Sequence, residues 1–420
     1  MKFKPQQILS LVLTLVSFTV FGQKELQYDN AVYEPDIKTV QINIKGGSVE
    51  NAIAPPVTRK GQKSLILSFD ELNEDADYFY VYFIHCNADW TPSSVRPNMY
   101  LNAYNEFEIE QFEFSAEAKR QYVNYQFEIP AFKMSGNYLA VVYRDRNKED
   151  IVLSQRFYVF EESAAAGLSI VRSADQAQRL SNQRVEVTLN YSNLKAVDPR
   201  EQFITVVRQN QRPDLTHYNL SPTFIDENSK MIRFQNLDEL NEFPGTNEFR
   251  SFDLGIVTFT GRNVQDILIG GNEVRAQLRL DRPLGQNYLQ ALDINGQFYI
   301  RDLESRPGQT TAEYIDTQFK LDYPETDQSI YVIGSFNQWQ RNENSRLRFN
   351  PATGFYETNI LVKQGWYNYA YMLSGNDPYA IDGNFWDTEN LYEVFVYFRP
   401  MGARGDLLVA YGQVPYNSRR

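Results

Sequence analysis

The chain has 420 residues, 42% of them apolar and 14% aromatic, with a formal net charge of −12, a length that predicts about two to four domains, each large enough for its own core. An acidic chain repels phosphate backbones and anionic lipid, which argues against general nucleic-acid binding and against membrane docking by charge. A single cysteine, Cys86, excludes an intramolecular disulfide and a cysteine zinc site, and two histidines, His85 and His217, exclude a His-rich metal site.

Residues 1–22 begin with Lys2 and Lys4 and continue into an apolar run, Ile8 to Val20, interrupted only by Ser and Thr. This run is shorter than the ~20 residues a membrane helix needs. It fits the core of a Sec signal peptide, cleaved before Gln23. No cysteine follows it, which excludes a lipoprotein anchor, and no later stretch is apolar enough to span a membrane as a helix.

Strand patterns follow. Residues 40–45 alternate with period two, and 65–69, 78–84, 122–129, 137–143 and 155–160 read as further strands, separated by Pro and Gly/Asn signals. The one helical candidate is residues 115–119. Residues 161–167 are small and polar and read as a linker. Beyond it, residues 183–191 alternate cleanly, with Val185, Val187 and Leu189 on one face. Strands are also expected at 203–208, 231–234, 251–259 and 273–280. Asn295-Gly296 lies between 291–294 and 297–300 and suits a type I′ hairpin, because both turn residues take positive φ. A loop at 302–311, containing Pro307-Gly308, closes this region, and a last segment runs from 314 to about 408. The predicted organisation is a signal peptide at 1–22 and three β-sandwiches at 23–162, 163–311 and 312–420. The fold class is all-β, as tandem immunoglobulin-like or early-set sandwiches.

Few residues suggest chemistry. His85 and Cys86 are adjacent on a strand and therefore face opposite sides, so the imidazole cannot readily activate the thiol. Asp382, Asp387 and Glu389 surround Trp386 and would need a set separation across a cleft to act on a glycoside. Asp293-Ile294-Asn295-Gly296 begins like a calcium loop but lacks the later ligands and reads as the hairpin turn. No nucleophile elbow, phosphate loop or dinucleotide fingerprint occurs. The expectation is a non-catalytic protein with no cofactor and no metal.

Residues Ile330 to Trp339, followed by Gly354-Phe355-Tyr356-Glu357 and Gly365-Trp366-Tyr367-Asn368-Tyr369, resemble the early-set sandwich of glycogen- and starch-binding modules. In glycan-binding members a Lys tends to follow the second Tyr; here that place is Ala370. The resemblance makes Trp339, Trp366 and Trp386 the candidate glycan or partner contacts. A wider resemblance rests on six blocks in order. They are Phe69-Asp70-Glu71-Leu72; Tyr82 to Ser93, with His85, Cys86, Asp89 and Trp90; Ser135-Gly136-Asn137-Tyr138; Asn247-Glu248-Phe249-Arg250-Ser251-Phe252-Asp253; Gly334-Ser335-Phe336-Asn337; and Thr388-Glu389-Asn390. Together they resemble the plug protein family of the type IX secretion system. That resemblance implies a periplasmic protein that docks on the giant outer-membrane barrel of the translocon and closes its periplasmic mouth when no cargo is engaged. The alternative is an exported carbohydrate-binding protein. Asp89, Trp90 and Arg250 are expected to be buried polar fixtures, with Arg250 paired to a carboxylate.

Overall fold

In a computed structural model, residues 24–418 are described, apart from 117, 238, 286 and 305–309. The expected signal peptide and Pro307-Gly308 lie outside the described residues.

The inner strands explain the first architectural feature. Gly136–Arg144 and Asn390–Phe398 read as nearly continuous apolar runs, and almost every residue in each is buried. A strand points successive side chains to opposite faces, so such a strand needs cover on both sides. In Gly136–Arg144, Tyr138, Ala140 and Val142 enter one core, while Leu139 and Val141 enter another. In Asn390–Phe398, Tyr392, Val394, Val396 and Phe398 face one core, and Phe395 and Tyr397 face the second.

The result is four stacked layers. The first contains Ile37–Ile44, Leu65–Glu71, Val123–Glu128 and Gln111–Phe114, in that order. The second runs Ala31–Val32, Ile151–Phe160, Gly136–Arg144, Phe79–Cys86, Phe107–Glu108, with Val57–Arg59 parallel to Ile151–Phe160. The third runs Thr216–His217, Phe203–Gln209, Asn390–Phe398, Leu407–Tyr416. The fourth runs Ala165–Arg172, Asn182–Asn190, Met231–Phe234, Phe224–Asp226, with Glu242–Pro244 also on Asn182–Asn190. Layers one and two form the first sandwich, and layers three and four the second. Between the sandwiches, Cys86, Trp90, Leu139, Val141 and Tyr158 pack on Val206, Phe395, Tyr397 and Leu408.

A third unit is one nine-stranded sheet with its own core, which includes Phe252, Ile315, Phe319, Val332 and Tyr369. It begins at Arg250–Asp253 and includes Val264–Ile269, Val274–Leu278 and Phe298–Ile300 as well as the strands from Tyr314–Leu321 to Gly365–Leu373. Strand pairing therefore runs across the expected 311/312 boundary. The unit is inserted between Glu242–Pro244 and Asn390–Phe398 of the second sandwich, which takes its last two strands from the end of the chain.

The all-β reading agrees with this structure, and local expectations differ in four places. The expected linker at 161–167 ends within the strand Ala165–Arg172, whose ladder runs from Ala165 opposite Asn190 to Arg172 opposite Gln183. Ala166, Leu168 and Ile170 alternate onto the core of the second sandwich, while the opposite face is largely exposed because this is an outer strand. The strand expected at 251–259 stops at Asp253. The described residues of 115–119 are not helical. Asn295 and Gly296 both have positive φ, and Gln297 N–H donates to the Ile294 carbonyl at 3.1 Å, so the turn forms. However, 291–294 is not a strand. There, Ile294 N–H donates to Asn368 Oδ1 at 2.6 Å, and the Asp293 carboxylate accepts from Phe249 N–H.

Candidate functional site: the joints between the sandwiches

The motif residues are concentrated where one unit meets another. The first joint is built on Tyr82 to Ser93. His85 is buried at the end of strand Phe79–Cys86, with Nδ1 2.8 Å from Ser93 Oγ and Nε2 3.3 Å from the Ser135 carbonyl. Burial drives its pKa down to about 4, against the Ser135 carbonyl and Asp406, so the ring is neutral at pH 7. Cys86 faces the opposite side, into the core shared with the second sandwich, and burial pushes its thiol up to about 12. Neither group is poised for acid–base or nucleophilic work. Gly136 has a φ of +150°, and a Cβ there would lie 2.2 Å from His85 Nε2.

Two further contacts complete this joint. Asp406, from the second sandwich, accepts from Ala88 N–H at 2.9 Å and from Arg399 Nε at 2.5 Å. Asn137 donates to the Asn87 carbonyl at 2.9 Å and accepts from the Tyr397 hydroxyl at 2.6 Å. Trp90 is 3% exposed with a φ of +68°. The Arg156 guanidinium lies 4.4 Å from its ring centroid, and Tyr158 meets it edge-on. Asp89 corrects the expectation of a buried fixture. It is exposed, and its carboxylate accepts from the N–H and hydroxyl of Thr91, which shapes the turn from outside.

The second joint is where the chain enters and leaves the inserted unit. Gly245 passes so close to Phe385 that a Cβ would lie 2.0 Å from the Phe385 carbonyl oxygen. Asn390 donates to the Gly245 carbonyl at 2.9 Å, and Thr388 Oγ1 to the Thr246 carbonyl at 2.9 Å. Asn247 donates to the Asp382 carbonyl at 2.6 Å. Glu248, raised by burial, accepts from the Tyr288 hydroxyl and from Glu389 N–H. The Arg250 side chain is 7% exposed and bridges two carboxylates, Asp281 at 2.9 Å and Asp382 at 2.7 Å. Burial alone would lower its pKa, but Asp382 and Asp281 hold it above the ordinary value. Asp253 pairs with Arg301 at 2.5 Å.

The third joint was not legible as a site. Asp70, on strand Leu65–Glu71, and Lys363, on strand Phe355–Lys363, form an ion pair at 2.6 Å with side chains 0% and 1% exposed. Asp70 also accepts from Tyr314 at 2.6 Å and from Asn124 at 2.7 Å. Lys363 Nζ lies 4.2 Å from the Tyr122 ring centroid. Burial lowers the lysine pKa, while Asp70 opposes that shift. The available signal was a charged residue at a core-facing position of an apolar strand, in Leu361-Val362-Lys363 and Ser68-Phe69-Asp70.

The tryptophans are not an open sugar platform. Trp339 is 8% exposed, with Arg212 4.8 Å from its ring centroid and Phe249 edge-on against it. Trp386 is 9% exposed, between Arg172 and Tyr416. Trp366 is half-buried beside Arg262 and Arg301. The acidic trio does not converge either: Asp382 is buried on Arg250, whereas Asp387 is exposed. Among the described residues, no group of three or more His, Cys, Asp or Glu is arranged to hold a metal ion.

Comparison with known proteins identifies part of this arrangement. Residues 37–161 match the family described as "Type 9 secretion system plug protein 1st domain". This span runs from the start of strand Ile37–Ile44 to just past Ile151–Phe160, and so takes in most of the first sandwich. The chain is also similar to the crystal structure of a hypothetical protein from Parabacteroides merdae ATCC 43184, with 29% sequence identity, a TM-score of 0.86, and coverage of 93% of this chain and 100% of that one. No curated protein matches.

Proposed function

From the match of residues 37–161 to the type 9 secretion system plug family, we propose that the chain is a non-catalytic plug subunit of that system. It sits in the periplasm at the inner face of the outer membrane. There it docks on the large β-barrel of the translocon and seals the periplasmic opening while no cargo is engaged. The observation that supports this reading best is the use of the motif residues. Instead of lining a cleft, most of them hold the joints between units and the chain crossing into the inserted unit through buried polar contacts, with Asp70–Lys363 closing the circuit between the first and the third. Units within a chain move against each other by default when their interfaces are small and polar. A body that must block a wide pore needs that motion suppressed, and buried, fully partnered charges suppress it, because separating them leaves each charge unpaired.

The test is outer-membrane permeability. Cells that lack the protein but keep the barrel should admit large solutes that wild-type cells exclude, and the wild-type chain should restore exclusion. Unchanged permeability with the barrel present and free of cargo contradicts the sealing role.

A further inference from the structure

We propose that the edge strand Gln111–Phe114 is a docking site for an extended polypeptide segment alternating apolar and basic residues, which adds to the first layer as another strand. The inference goes beyond sealing and does not require the barrel to be the partner.

Gln111–Phe114 ends its sheet and pairs on one side only, with Val123–Glu128. In an antiparallel ladder, alternate N–H and C=O groups point away from the paired neighbour, so one side of this strand is an open template. The other edge of the same sheet, Ile37–Ile44, lies beside the third unit, where Thr39 Oγ1 is 2.6 Å from the Tyr314 hydroxyl. All four side chains of Gln111–Phe114 are exposed. Phe112 and Phe114 are 43% and 53% exposed, and their rings meet edge-on at 5.9 Å. Phe112 also lies 5.9 Å from Tyr125, which stacks on Phe69 in the core. The two rings thus extend the first core to the rim of the sheet, and the inward residues of an added strand would cover them.

Gln111 and Glu113 alternate onto the other face of the strand, and charge surrounds it. Glu106 and Glu108 face Lys148 at 3.2 Å and Arg146 at 3.9 Å. Glu110 and Glu113 are exposed and carry no ion pair among the described residues. Acids on an edge discourage aggregation, which accounts for Glu113 but not for two bare aromatic rings beside it. A second copy is a poor occupant, because antiparallel pairing of two such edges sets acid against acid. A basic, alternating segment satisfies the open backbone, the rings and the carboxylates together; main-chain bonds supply affinity and alternate side chains supply specificity.

The test uses the full chain and a blocked, fluorescent hexapeptide that alternates valine with lysine or arginine. Saturable binding is expected, with slowed hydrogen exchange across 111–114. Binding should weaken at least about tenfold when every second peptide amide is N-methylated in the phase that faces the edge. It should weaken similarly when glutamate replaces the basic residues, and in the variant F112K/F114K. Glu113→Lys should shift preference toward the acidic peptide, which keeps the test decisive if the double variant folds poorly. No saturable binding would overturn the proposal. Equal binding of peptides methylated in either phase would overturn it too, because the contact would then be charge alone. So would a dimer of the chain blocked by F112K/F114K.

Discussion

Lys363 and Asp70 are both almost wholly shielded from water, so neither can lose its partner without a large penalty. Removing one member of a buried pair leaves the other charge unsolvated, at a cost of about 3–5 kcal/mol, whereas replacing both with apolar residues of similar size is close to neutral. Lys363→Ala is therefore expected to lower stability by that amount in chemical denaturation, and Lys363→Met combined with Asp70→Leu to recover much of it. Equal losses in the single and double variants would show that the pair is not coupled. Glu71, the next residue, is also buried but shares its cation. Arg144 contacts Glu71 at 3.3 Å and also Asp77 and Asp150. Burial, then the Asp77 charge, push the Glu71 carboxyl up to about 7. A carboxyl held above its unfolded pKa contributes stability at low pH and loses it as pH rises through the folded value. Between about pH 4.5 and 7, wild type should thus lose stability relative to Glu71→Gln, as read from denaturation midpoints at each pH. A gap that does not change with pH contradicts the assignment.

At the scale of elements, the crossing beside Gly245 sets how the inserted unit is carried. A methyl at Gly245 meets backbone atoms of Phe385 and Ser181 at 2.0–2.8 Å, which cannot rotate aside as a flexible side chain could. Gly245→Ala should therefore cost at least about 2 kcal/mol, seen as a lower melting temperature with the β-sheet spectrum retained; an unchanged melting temperature would contradict the packing. The sequence reveals strands well where one face is wet. Asn182–Asn190 was legible through Val185, Val187 and Leu189, all fully buried on one side. The strands of layers two and three also show, as continuous apolar runs, although nothing in a run says that a second sheet covers its back. The insertion was not legible, because the pairing of Phe203–Gln209 with Asn390–Phe398 joins residues far apart in sequence, and local patterning does not record which distant strand is the neighbour. Ala165–Arg172 was missed although Ala166, Leu168 and Ile170 alternate, because its first residues are small and continue an acidic, polar stretch that reads as a linker. As for the joints, the motif blocks marked residues that matter, while burial and partner identity decide their role. Asp89 looked internal and is outside, and Lys363 did not stand out although it anchors a joint.

For the whole molecule, the three joints form a closed circuit: first sandwich to second through Asp406 and Asn137, second to third through Arg212 on the Trp339 ring, third to first through Lys363 and Asp70. A chain of three sandwiches joined by linkers would bend at two points, whereas a closed circuit has no free end. This geometry, together with the match of residues 37–161 to the plug protein's first-domain family, supports the proposal that the protein acts as a blocking body on a secretion pore. The most direct measurement is recovery of the tagged native protein from its own envelope in gentle detergent, with mass spectrometry of its companions. The account predicts a very large outer-membrane β-barrel protein in near-equal amount. Recovery of the chain alone, with that barrel present in the same membranes but unbound, would contradict it.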